Sequence, residues 1–112
     1  MERKMEFEKK RKDGKVAVLV SGGYGAGWST WANDHSDFLA FDAGLVDMAE
    51  RKATIPEVEA YLKSQLGDDY YVYMGGWGDV EVEWLEEGTP FYIHEYDGSE
   101  SLRTGADLVM TA

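Results

Sequence analysis

The order of elements in this sequence predicts an α+β fold, two helices packed on a small, mostly antiparallel sheet in the order β-loop-α-α-β-β-β. Three observations predict it. An early run, Val16-Ala-Val-Leu-Val20, is short, rich in β-branched residues and bounded by glycines, as a buried strand should be. Two stretches between Asp42 and Gly67 carry apolar residues at helical spacing. Beyond them the chain alternates apolar and polar residues between turn signals, the pattern of half-buried antiparallel strands.

Residues 1–14 alternate charges with few apolar groups and read as a frayed helix or mobile arm, leaving 15–112 as a single domain. After the first strand comes Ser21-Gly-Gly-Tyr-Gly-Ala-Gly-Trp-Ser-Thr-Trp31, followed by a polar turn over 32–37 and a short apolar patch, Phe38-Leu-Ala-Phe41. Asp42 can cap a helix over Ala43–Lys52, with Leu45, Met48 and Ala49 on one face, although Gly44 weakens it. Thr54-Ile-Pro-Glu57 has the spacing of a capping box with proline in the first turn. The helix it opens has a stripe of Val58, Tyr61, Leu62 and Leu66, and Gly67 ends it. Tyr70–Met74 reads as a strand, Gly75–Asp79 as a turn, and Val80, Val82 and Trp84 alternate with Glu81 and Glu83 in a second strand. Phe91–Tyr96 is a third strand closed by the turn dipeptide Asp97-Gly98, and Leu108–Met110 adds a last short one.

Composition narrows the function classes. The 112 residues contain no cysteine, so disulfides and thiolate metal sites are excluded. No apolar stretch near the start approaches a bilayer span and no signal peptide is visible, so the expectation is a soluble cytoplasmic protein with no membrane partner. The net charge is −11, unevenly spread. Seven Lys/Arg against four acids give residues 1–15 a charge of +3, whereas four against 18 give residues 16–112 a charge of −14. Such a body repels the nucleic-acid backbone, so no direct nucleic-acid binding is expected, and it attracts basic surfaces, including those that hold nucleic acid. The plain alternative is that the acidity only keeps a small protein soluble.

The loop after the first strand packs four glycines, one tyrosine and two tryptophans into eleven residues. It fails both nucleotide fingerprints. G-x-G-x-x-G started at Gly23 meets Trp28 at its third glycine, and a P-loop started at Gly22 has Trp28 where the lysine belongs. A ligand site without hydrolysis remains, with glycine N–H groups as an anion nest, Tyr24, Trp28 or Trp31 stacking on a base, and Ser29 and Thr30 donating hydrogen bonds. Against it, Trp28 and Trp31 can simply fill the core. Met74-Gly-Gly-Trp77-Gly is a second aromatic turn whose Trp77 either faces out or folds back on the sheet. Glu81, Glu83, Glu86 and Glu87 form an acidic edge, read either as a docking surface for a basic partner or as charges that discourage edge pairing. His35, with Ser29, Asp34 and Asp37 nearby in sequence, lacks a nucleophile-elbow signature, and His94 is read as a surface or hydrogen-bonded side chain. Glu95, Asp97 and Glu100 could hold a hard cation, but their spacing is not that of an EF-hand; no metal, cofactor or catalytic residue is expected.

Gly23-Tyr-Gly-Ala-Gly-Trp-Ser-Thr-Trp31, Tyr73-Met-Gly-Gly-Trp77 and Glu95-Tyr-Asp-Gly-Ser-Glu-Ser-Leu102 together resemble small uncharacterised proteins encoded by bacteriophages and prophages, over roughly residues 15–112. The resemblance implies a context of interference with a host system, and no site residue comes with it. In composition alone the acidic body resembles inhibitors that occupy the nucleic-acid channels of defence enzymes such as CRISPR effectors. The leading expectation is therefore a non-enzymatic, anti-CRISPR-like inhibitor that binds a basic host protein surface, such as that of a nucleic-acid-handling enzyme. It would do so through Tyr24, Trp28, Ser29, Thr30, Trp31, Trp77 and the four glutamates. The alternatives are a nucleotide sponge built on the Gly/Trp loop and a small hydrolase built on Ser29 and His35. Self-association as a homodimer stays open.

Overall fold

The computed structural model describes residues 7–23, 27–32, 35–67 and 74–104. Strands β1 (Arg11–Lys12), β2 (Lys15–Ser21) and β3 (Val80–Glu86) form an antiparallel sheet in that spatial order. Strands β4 (Phe91–Tyr96) and β5 (Ser99–Thr104) form a separate antiparallel hairpin. Three helices, α1 (Ser36–Phe41), α2 (Ala43–Glu50) and α3 (Ile55–Leu66), complete an α+β fold.

β2 is apolar without a break because both of its faces are covered. Ala17 and Leu19 join Trp28, Phe38, Leu39, Leu45, Val46, Val58 and Trp77 in the core under the helices. Val18 and Val20 point the other way and meet Ala40, Phe41, Leu85 and the hairpin residues Phe91, Ile93 and Leu102. The register pairs Ala17 with Trp84 and Leu19 with Val82, so the apolar side chains of β3 share the helix-covered face. Glu81 and Glu83, opposite Val20 and Val18, occupy the other. α1 straddles the two cores, giving Phe38 and Leu39 to one and Ala40 and Phe41 to the other.

Two hairpins turn on the same chemistry. Asp13-Gly14 and Asp97-Gly98 are two-residue loops with φ of 52° and 78° and of 50° and 87°, the doubly positive backbone of a turn whose twist matches antiparallel strands. The first of these overturns the expectation of a frayed helix or mobile arm for the part of residues 1–14 that the structure describes. Residues 11–12 pair with β2, Ala17 N–H donates to the Lys10 carbonyl at 3.0 Å, and Ala43 N–H donates to the Glu8 carbonyl at 2.8 Å. Phe7 meets the Phe38 ring edge-on at 5.6 Å. Lys10 reaches both Asp47 and Glu50 of α2, and Arg11 lies 2.9 Å from Glu87. The hydrogen bonds that the Lys10 ammonium donates to these carboxylates, Asp47 first, hold it above its ordinary value. The basic segment is thus tied to the acidic body.

Other differences have local causes. Phe38–Phe41, read as an apolar patch, is the core of α1, a six-residue helix that starts from His35 in the left-handed region at φ 57°. Ser99–Thr104, to which the sequence assigns no element, is β5. The predicted strand at Tyr70–Met74 lies outside the described residues except for Met74, which is not in a strand, and Leu108–Met110 lies wholly outside.

The helix caps follow the sequence. Asp42 accepts from Leu45 N–H at 3.1 Å, Thr54 Oγ1 accepts from Glu57 N–H at 3.4 Å, and Gly67 closes α3 at φ 96°. Gly44 has a positive reason to be glycine. The Asp42 carboxylate also accepts from the Tyr61 hydroxyl at 2.6 Å, and a Cβ on residue 44 would collide with that hydroxyl. Burial, then the bond to Asp42, pushes the Tyr61 phenol above its usual range. Gly44→Ala should therefore lose about 1 kcal/mol in urea unfolding, instead of gaining the ~1 kcal/mol that helix propensity alone would give. Tyr61→Phe in the same background should relieve part of that penalty, since the ring carbon that bore the hydroxyl still lies 2.7 Å from the added Cβ.

The phenol also sets an alkaline limit. Its folded-state value lies above the unfolded value of ~10, so its contribution to stability is complete below that pH and is lost as pH climbs through the higher native value. Absorbance titration should show one tyrosine that ionises late in the folded protein and at the ordinary pH once unfolded. Tyr61→Phe should remove that late step.

Candidate functional site

The glycine-rich loop is organised around one side chain. Glu100, on the inward face of β5, is 3 % exposed. One carboxylate oxygen accepts from Ser21 N–H at 2.9 Å, at the end of β2. The other accepts from Trp28 N–H at 2.8 Å, from Thr30 N–H at 3.0 Å and from the Thr30 hydroxyl. A buried carboxylate is tolerated only when donors replace its lost water, and bonds to an ionised acceptor are about twice as strong as neutral ones. The loop therefore does converge N–H groups on an anion, and the anion is the protein's own.

Both core tryptophans also meet backbone acceptors. Trp28 is 1 % exposed and donates its indole N–H to the Leu39 carbonyl at 2.7 Å. Trp77 is 7 % exposed and donates to the Ala53 carbonyl at 2.8 Å. Their rings lie 5.3 Å apart at 55°. Trp28 and Trp77, both expected to contact a partner or ligand, instead take the buried alternative left open for each. They fill the interior, because each indole N–H finds a carbonyl on an element distant in sequence. Trp31 is 39 % exposed and stays at the surface, packed over Gly27. Tyr24 lies outside the described residues.

Ser29 and Thr30 form part of the wall of an open cleft of about 440 Å³. Ser36 and Asp37 from the start of α1 complete its polar side, and Ala40, Phe41, Phe91 and Ile93 make its floor. Phe41 and Phe91 meet edge-on at 5.8 Å, and Lys9 sits 4.3 Å from the Phe41 ring centre. The Lys9 side chain belongs to a neighbouring cleft of about 220 Å³ that also takes in Arg11, Glu86 and Glu87.

Of the four predicted glutamates, Glu81, Glu86 and Glu87 are exposed and Glu83 is half-buried. Glu87 is paired with Arg11; Glu81, Glu83 and Glu86 have no cationic partner among the described residues. The Ser29 hydroxyl makes no hydrogen bond to His35 or any other group among the described residues. Those residues also hold no cluster of three or more histidine and acidic side chains able to share a metal ion. No described helix is long and apolar enough to cross a membrane.

Glu100 is the residue that sequence reasoning missed. Its neighbours Glu95 and Asp97 drew it into an acidic turn, whereas alternation with Leu102 along β5 puts it on the inward face. Comparison with known families, with characterised proteins and with solved structures finds no match.

Replacing Glu100 with glutamine keeps the shape but turns an amide NH₂ toward groups that are themselves donors. Glu100→Gln should lose about 2–4 kcal/mol in urea unfolding, with a red-shifted tryptophan emission as the loop loosens around Trp28.

Proposed function

We propose that this chain is a non-enzymatic interaction protein of the phage-accessory kind. Its acidic surface docks on a basic region of a host protein, most fittingly a nucleic-acid-handling defence enzyme, and competes with the nucleic acid for that region. The support is electrostatic. Residues 16–112 carry four Lys/Arg against 18 acids. The fold uses Lys10 and Arg11 to neutralise Asp47, Glu50 and Glu87, yet Glu81, Glu83 and Glu86 of β3 form no ion pair among the described residues, with Lys15 standing opposite Glu86. Glu81 and Glu83 share one face of this edge strand and Glu86 closes its end; such charges oppose edge-to-edge pairing and form a potential that steers a basic partner toward the strand. Trp31 and Thr30 are the exposed remainder of the aromatic loop that such a contact could include.

The nucleotide-sponge reading has less support, since Ser21, Trp28 and Thr30 N–H are bonded to Glu100 and Gly22 N–H to the Asp79 carbonyl. The hydrolase reading lacks an activated nucleophile among the described residues, because no base is bonded to the Ser29 hydroxyl.

Immobilised protein should capture a basic bacterial protein that elutes between 0.15 and 0.5 M salt (on the order of the range where screening collapses from ~8 Å toward ~4 Å) and is displaced by competing DNA. The triple variant Glu81→Lys, Glu83→Lys, Glu86→Lys, shown folded by circular dichroism, should lose that capture at least tenfold. Capture indifferent to both salt and charge reversal would rule the docking reading out.

A further inference from the structure

The cleft beside the glycine-rich loop selects against anions. Thr30 has one hydroxyl proton, and it is donated to Glu100. Its free lone pairs can therefore only accept from anything seated in the cleft. Asp37 is exposed, can only accept when ionised, and has no partner among the described residues. The Ser29 and Ser36 hydroxyls can turn either way and are likewise unpartnered among the described residues. The floor beneath is apolar and aromatic, from Phe41, Phe91 and Ile93. Carboxylate and hydroxyl acceptors above aromatic rings call for a group with many donors, a positive charge and a flat or aliphatic body.

We propose that this cleft receives an arginine side chain projected by the basic partner. The guanidinium would meet the Asp37 carboxylate and the Thr30 oxygen while its stem and plane lie against Phe91 and Ile93, the Phe41 ring already carrying the Lys9 ammonium. The volume, about 440 Å³, falls in the range of small-ligand sites and leaves room for the residue flanking the arginine. Charge complementarity favours this occupant, in a body that carries 18 acids over residues 16–112. Lys9 does not line the cleft, so the site's own charged wall is Asp37. The proposal rests on the docking reading above and assigns it a specific anchor.

The test uses N-acetyl-arginine methylamide as probe and two-dimensional amide NMR of the full chain. Saturable shifts are expected at Ser29, Thr30, Asp37 and Ile93, with AMP and inorganic phosphate giving none. Asp37→Asn, at an exposed position, should weaken the probe at least fivefold. Ser36→Arg, which places a guanidinium on the rim, should block it. No saturable response to the probe, tighter binding of AMP, or an unchanged response in Asp37→Asn overturns the proposal. The triple glutamate reversal on β3 should leave probe binding within twofold. If no partner is captured while the probe binds as described, the docking reading fails and the preference of the cleft stands. If capture survives unchanged in Asp37→Asn, the arginine is not the anchor.

Discussion

A carboxylate buried where the sheet, the outer hairpin and the glycine-rich loop meet must be surrounded by donors, and that requirement shapes this molecule. Glu100 comes from β5, and its donors come from the end of β2 and from the loop that follows it. The bonds therefore fasten the hairpin to the sheet at a point where the two share no strand pairing among the described residues. They also fix the backbone of Trp28, which places its ring against Trp77 and its indole N–H on the Leu39 carbonyl. An apolar side chain at position 100 would leave those amides without acceptors. The cost of unmet buried donors, about 1–3 kcal/mol each, exceeds what extra hydrophobic contact at one position returns.

The elements legible in the sequence are those whose signals are local. β2 shows as an apolar run, α3 is announced by Thr54 and Glu57 and ended by Gly67, and Asp42 caps α2, all within a few residues of the element concerned. The elements that were not legible depend on distant partners. The Asp13-Gly14 dipeptide is a strong hairpin signal, but the strand it serves is two charged residues long and gains its place from β2 and α2. α1 is too short to display a helical period and is held by contributing to both cores. β5, Ser99-Glu-Ser-Leu-Arg-Thr104, has little strand propensity and forms because the Asp97-Gly98 turn returns it along β4.

The candidate site divides in the same way. That Thr30 and Trp31 stand at the surface is consistent with glycines that let the loop curl, whereas Ser29 beside them is buried. Whether a tryptophan beside glycine faces water or the interior is decided by acceptors elsewhere. For Trp28 and Trp77 these are carbonyls of Leu39 and Ala53, 11 and 24 positions away. Glu100 lies 72 positions from Trp28 and 79 from Ser21, so no window of sequence holds the anion together with its donors.

The filled nest changes the sign of the ligand that the loop favours. Glycine-rich loops after a strand bind anions because their N–H groups point into empty space. Here the Ser21, Trp28 and Thr30 N–H groups are satisfied from within, and beside them the cleft presents oxygen: the Thr30 hydroxyl, whose proton goes to Glu100, and the Asp37 carboxylate. The same logic runs through the charges of β3. Lys10 and Arg11 before β2 are committed to Asp47, Glu50 and Glu87, which leaves Lys12 and Lys15 exposed and without an ion pair among the described residues. The loop and the strand thus both present acceptors and negative charge outward, and the proposed arginine contact at the cleft and the proposed docking along β3 rest on that shared sign.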